Sequence, residues 1–144
     1  MKNILVSVEF DPGAKLLLAK ATEMALAFNA KVWVVHIAAP EPDYIGYAVG
    51  PQYVRDVRAN ELREEHRMLG DFADSLKSKN VEAEALLVQG ATTDMVVEEA
   101  QKLECDMIIC GHHEHNFIYK ALLGSVSNSI IRNSKIPVLV VPLD

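Results

Sequence analysis

The run Cys110-Gly111-His112-His113-Glu114-His115 and the Gly124-Ser125 pair beyond it are the residues whose types and spacing bear most directly on chemistry. Gly111 closes an apolar stretch and Gly124-Ser125 is expected to open a helix, so both would expose backbone N–H groups, and that arrangement suits a phosphate. Helix N-termini carry unpaired donors and the positive end of the macrodipole, and glycine lets an anion approach the main chain closely. Val126 and Ser127 would follow in the first turn, Ser127 with a hydroxyl to add. The imidazoles of His112, His113 and His115 and the Glu114 carboxylate are also metal-ligand types. Neighbours in an extended segment point to opposite sides, so only His113 with His115, or His112 with Glu114, can share an ion; His36 would have to reach across the first strand, roughly 10 Å at two strand spacings. Fewer than three ligands converge, and no metal site is expected. No nucleophile, base and orienting group assemble either, since Ser125 has no base apart from the loop histidines. A binding role is expected over an enzymatic one, with slow phosphoryl chemistry as the upper limit.

These residues need a scaffold, and the apolar pattern supplies one. Residues 4–8 form a short β-rich run, after which Asp11 is placed to cap a helix with Pro12 in its first turn. Ala14, Leu17, Leu18, Ala21, Ala25 and Phe28 then recur at helical spacing. Residues 32–37 read as a second buried strand. Pro40, Pro42, Gly46, Gly50 and Pro51 break regular structure after it, and the loop carrying Tyr44, Tyr47 and Tyr53 is expected to act as a mobile lid. From 54 to 76 a charged stretch places Leu62, His66, Leu69, Ala73 and Leu76 on one stripe, an amphipathic helix with His66 packed inward. Residues 81–88 begin with the alternation of a half-solvated edge strand. Thr92 or Thr93 can cap a helix whose apolar side is Val96, Val97, Ala100 and Leu103. Residues 106–110 suit a central parallel strand, 125–132 a short helix, and 137–141 a fifth strand.

Strands alternating with helices imply one α/β domain over residues 1–144, a parallel sheet covered on both faces with right-handed crossovers. Ligands of such sheets sit beyond the carboxyl ends of the strands at the switch point. The residues reaching that edge are Val8, Glu9, His36, Ile37, Gly90, Gly111, His112 and His113, and Glu9 offers a hydrogen-bonding carboxylate there. A net charge of −6 with no Lys/Arg run argues against nucleic acid or an anionic membrane as partner. The opening Met1-Lys2-Asn3 leads into an apolar block too short for a signal peptide or a membrane span, and a cytoplasmic protein is expected. Cys105 and Cys110 fit neither a disulfide framework nor zinc spacing and are expected to be free buried thiols.

Taken in order, residues 4–9, Val35-His36-Ile37, Gln89-Gly90, Cys110-Gly111, Gly124-Ser125 and the terminal 137–142 run resemble the universal stress protein family along essentially the whole chain. The resemblance implies a Rossmann-like five-stranded parallel sheet of order 3-2-1-4-5, a homodimer, and in many members a bound adenine nucleotide (ATP, ADP or AMP), with Mg²⁺ as an accompanying ion. It implies a role in the stress response through a downstream protein partner that the sequence does not name. Two positions depart from the nucleotide-binding pattern: Glu9 stands for an aspartate against the adenosine, and Glu114 for a glycine against the phosphates. Cys110-Gly111-His112-His113 is similar to the branch that lacks the full motif and holds no ATP, whereas Gly124-Ser125 keeps the motif spacing, so the chain lies between the two branches. An ATP-free dimeric interaction protein is the alternative, and slow ATPase or autophosphorylating activity a third. A Glu114 carboxylate roughly 6 Å from a phosphate, at an effective dielectric near 20, opposes binding by about 2–3 kcal/mol per charge pair before Mg²⁺ or Lys120 offsets it. AMP is therefore expected to bind better than ATP. The dimer also follows from the apolar 137–142 strand, which at a sheet edge needs a cover that a second copy can supply.

Overall fold

The computed structural model describes residues 1–39, 52–113 and 120–143. Among the described residues five strands alternate with four helices: β1 (Asn3–Ser7), α1 (Ala14–Phe28), β2 (Lys31–Ala38), α2 (Gln52–Lys77), β3 (Ala83–Gln89), α3 (Thr92–Lys102), β4 (Met107–His112), α4 (Lys120–Asn133) and β5 (Val138–Pro142). The sheet has the expected order β3-β2-β1-β4-β5, and all four pairings are parallel. Crossovers of this kind place helices on both faces.

Because side chains alternate along a strand, the sheet divides its apolar residues between two cores. Ile4, Val6, Val32, Val34 and Ile109 pack with Leu17, Leu18 and Ala21 of α1 and Leu69, Ala73 and Leu76 of α2. Leu5, Val35, Ile37 and Ile108 pack on the other face with Val96, Val97 and Ala100 of α3 and Ile130 of α4. The central position of β1 explains why Ile4, Leu5 and Val6 have no exposed surface at all: both faces are covered and both edges paired.

Three helix exits share one device. Asn29 after α1, Asn80 after α2 and Glu104 after α3 adopt positive φ (54°, 66° and 53°), the left-handed turn that ends a helix and sends the chain back towards the sheet. Asparagine tolerates that conformation, whereas Glu104 adopts it without that help.

The element bounds differ from expectation in ways that local chemistry explains. The N-cap of α1 is Gly13, with no side-chain cap; Asp11 instead accepts a hydrogen bond from the Gly13 amide at 2.9 Å and closes the preceding turn. Neither Thr92 nor Thr93 caps α3, which is preceded by an extended Ala91. Tyr53 lies in the first turn of α2 and is 72% exposed. His66 is exposed, since the buried stripe of α2 runs through Leu69, Ala73 and Leu76. The strand β4 continues through Gly111 to His112, paired with Val141 and Pro142. The helix α4 begins at Lys120, so Gly124 and Ser125 lie in its second turn instead of opening it. Lys120, Ala121, Leu122 and Leu123 are good helix formers and extend the helix past the glycine.

Candidate functional site

A crevice opens where β1 and β4 diverge, at the carboxyl ends of the two strands from which the chain leaves in opposite directions across the sheet. Its volume is about 190 Å³, and Ser7, Glu9, Asp11, Leu17, Cys110, Gly111, His113, Ser127, Ile130 and Leu143 line it. Of the residues expected at the site, Glu9, Gly111, His113 and Ser127 meet here.

Glu9 leaves β1 with its side chain 60% exposed, its Oε2 lying 3.6 Å from Nδ1 of His36. Partial burial pushes its carboxyl above the ordinary value; His36 draws it back, while Asp11 and Glu65 reinforce the rise. His36, from β2, is itself buried, and its Nδ1 lies 2.8 Å from the Val8 carbonyl oxygen, which fits an Nδ1–H donor. Its ring also packs on Phe10 at 4.4 Å between centroids, and Phe10 in turn stacks on Phe72 of α2 at 5.9 Å. The segment after β1 is thereby held to β2 and α2. On the opposite side of that segment, Nε2 of His113 lies 3.7 Å from Oδ2 of Asp11. Two carboxylates of one short segment thus face two imidazoles, one from β2 and one just past the end of β4.

The glycine on which a phosphate was expected to rest is covered from within the chain. A Cβ placed on Gly111 would overlap Cδ1 of Leu143, and one on Gly13 would come within 2.8 Å of the same atom. Ser127 lies two turns into α4, not in its first turn; it is buried, and its hydroxyl donates to the Gly111 carbonyl at 3.3 Å. That bond ties α4 to β4. Gly90 has φ +153°, and a Cβ there would lie 2.6 Å from Met95 Cγ, so glycine is required at the turn into α3.

Val8 and Ile37 are core residues, and neither they nor His36, Gly90 or His112 are among the crevice-lining residues. Glu114 lies outside the described residues, as do His115 and residues 44–51 of the expected lid; Gly124, Ser125 and Val126 are placed only as members of α4. Asp11, Cys110 and Leu143 line the crevice without having been singled out as ligand residues. For Leu143 a signal existed: Leu139, Val141 and Leu143 share one face by alternation, and that face lies beside Gly111. Cys105 and Cys110 are free and buried. Burial pushes the Cys105 thiol up to about 11 and raises that of Cys110 as well, so neither is primed as a nucleophile. Among the described residues no group of three or more His, Cys, Asp or Glu side chains is placed to hold a metal ion. No described helix is long and apolar enough to cross a membrane.

Sheet order, crossover pattern and the position of the crevice define a doubly wound α/β domain. Residues 1–142 match the family model described as universal stress protein family, and the chain belongs to that family. Universal stress protein A of Escherichia coli (strain K12) is 28% identical over 142 residues, covering 99% of this chain and 94% of its own length. Two solved structures share the fold. A universal stress protein in complex with cAMP superposes with a TM-score of 0.71 at 24% identity, over 99% of this chain and 98% of its own. The universal stress protein from Archaeoglobus fulgidus in complex with dAMP gives 0.67 at 20% identity, over 97% of each chain.

Proposed function

We propose that this protein is a small dimeric module of the stress response, acting in the cytoplasm, that binds an adenine nucleotide in the crevice between β1 and β4. Binding is the role the crevice supports best, with slow ATP hydrolysis or autophosphorylation as the upper limit of any chemistry. The observation carrying this assignment is the convergence of Glu9, Asp11, Gly111 and His113 at the switch point of the sheet, where α/β folds bind nucleotides. The family relationship adds to it, since the two fold relatives described above were solved with cAMP and dAMP.

The crevice favours a ligand of low negative charge. Its described lining residues include the carboxylates Glu9 and Asp11 and no lysine or arginine. A carboxylate about 6 Å from a phosphate charge opposes it by about 2–3 kcal/mol at an effective dielectric near 20, so each further phosphate adds repulsion. AMP is the preferred ligand over ATP. Titration calorimetry tests this: AMP should bind more tightly than ATP in the absence of Mg²⁺. Tighter binding of ATP would contradict the electrostatic preference, and absence of heat with either nucleotide would remove the nucleotide assignment.

The dimer forms through β5. This strand ends the sheet, and Val138, Leu139, Val140 and Val141 all keep partial exposure in the single chain. A second copy related by a two-fold axis would pair this edge and cover those side chains. Sedimentation should give a dimer at micromolar concentration, and Val140→Lys should give monomer or aggregate, since the axis would bury the charge twice. A clean wild-type monomer would contradict it.

A second reading, a ligand-free dimeric interaction protein, draws support from the crevice size. About 190 Å³ is below the roughly 300–1,000 Å³ of small-molecule sites.

A further inference from the structure

Leu143 covers the glycine at the crevice and also lines the crevice. Its amide donates to the His112 carbonyl at 2.8 Å, extending the β4–β5 ladder by one step. Its side chain packs against the core beneath α1 and α2 while lining the crevice. Cδ1 lies 2.4 Å from where a Cβ on Gly111 would be and 2.8 Å from one on Gly13, too close for either to be added without a shift. The two glycines belong to different elements, the turn before α1 and the strand β4, and the leucine occupies the space that their missing side chains leave between them.

We propose that Leu143 is an internal gate of the crevice, occupying the place against Gly111 that a nucleotide takes and swinging out when one binds. This rests on the nucleotide assignment above and adds the residue that sets its affinity. An apolar side chain on the two glycines and a sugar-phosphate lying on the same backbone exclude one another. The closed form is favoured by burial of the isobutyl group, and the ligand meets only the open fraction of molecules, so the apparent affinity is lowered by that fraction. Because the Leu143 amide continues the ladder of β5, the gate is anchored to the strand at the proposed dimer edge. Opening the crevice requires only the side chain to move; the backbone bond to His112 stays in place.

The first test needs no ligand. Gly111→Ala and Gly13→Ala are each made in the wild-type and Leu143→Ala backgrounds and their thermal unfolding midpoints measured. The φ of Gly13, −66°, suits alanine, so that variant remains informative where Gly111→Ala fails to fold. Each glycine substitution should lower the midpoint clearly in wild type and markedly less once Leu143 is truncated, the coupling expected of groups in contact. Equal losses in both backgrounds would overturn the placement of Leu143 and the gate with it. The second test titrates AMP into wild type and Leu143→Ala. The variant should bind about tenfold more tightly, as expected where about one wild-type molecule in ten is open. Equal affinities would overturn the gate and leave the nucleotide assignment standing; absence of AMP binding to both proteins would overturn both.

Discussion

The two ends of strands β1 and β4 treat a carboxylate in opposite ways. At the amino end, Asp106, just before β4, accepts hydrogen bonds from the amides of Lys2 at 2.6 Å and Asn3 at 2.9 Å, and its own amide donates to the Asn3 carbonyl at 2.7 Å. Those two amides hold its carboxyl below the ordinary value. At the carboxyl end, Glu9 is partly desolvated and faces other carboxylates as well as an imidazole, and its carboxyl is raised. One end of the sheet satisfies its charge with backbone donors and stitches the central strands together. The other end leaves charge incompletely compensated in a crevice, which is the arrangement expected where a ligand completes the hydrogen bonding.

The largest effect is expected from the steric demand at Gly90, past the carboxyl end of β3. Gly90→Ala places a side chain at positive φ and against Met95, and should lower stability by about 2–3 kcal/mol. Chemical denaturation checks it, and a loss under 0.5 kcal/mol would show that the turn into α3 adapts freely.

The next effect separates the two ends directly. Glu9→Ala should weaken binding of adenosine, which carries no phosphate for the carboxylate to repel, by about tenfold, or about 1.4 kcal/mol, whereas Asp106→Asn should leave adenosine affinity unchanged. Equal weakening by both variants would erase the functional distinction between the ends.

The pH dependence of stability should differ in sign. Asp106 titrates lower in the folded state than in the unfolded chain, so its contribution is present above the ordinary carboxylate pKa and is lost as the pH falls through the depressed one. Asp106→Asn should therefore lower the unfolding midpoint at neutral pH, and the difference should shrink on acidification. The folded-state carboxyl of Glu9 is raised, so stability is lost as the pH rises from the ordinary value through the raised one. Its 60% exposure screens the effect. Glu9→Gln should raise the neutral-pH midpoint slightly, and that gain should vanish in acid. Parallel pH profiles for the two variants would contradict the opposite shifts.

The smallest effect concerns the helix exits. Glu104→Gly should stabilise by less than about 1 kcal/mol, because relief of the left-handed strain exceeds the backbone entropy lost by only a little. Thermal unfolding is the check, and destabilisation would show that the Glu104 side chain contributes contacts of its own.

The sheet order and the identity of the nine described elements were legible in the sequence, because buried apolar runs, helical spacing and interrupting Gly/Pro clusters all repeat the same β-α alternation. That Glu9, Gly111 and His113 line one crevice was legible for a topological reason: the ends of β1 and β4 must meet at the switch point. The failures came from local competition. Asp11 had the identity of a helix cap, yet its side chain closes the turn onto Gly13. Gly124 had the identity of a helix breaker, yet the four residues before it carry α4 across. Leu143 belongs to a strand-end sequence with no chemical signature, and its position over Gly111 depends on a pairing between chain segments far apart. Periodicity could place it on a face, and only the register of β5 against β4 could place it on the glycine.

The central claim, that the carboxyl end of β1 and β4 receives an adenine nucleotide while the amino end is structural, is tested most directly by recording backbone amide resonances during AMP titration. The account predicts saturable shifts at Glu9, Gly13, Gly111 and His113, with Lys2, Asn3 and Asp106 unmoved. Shifts concentrated at the amino end or on the outer helix faces, or none at millimolar AMP, would contradict it.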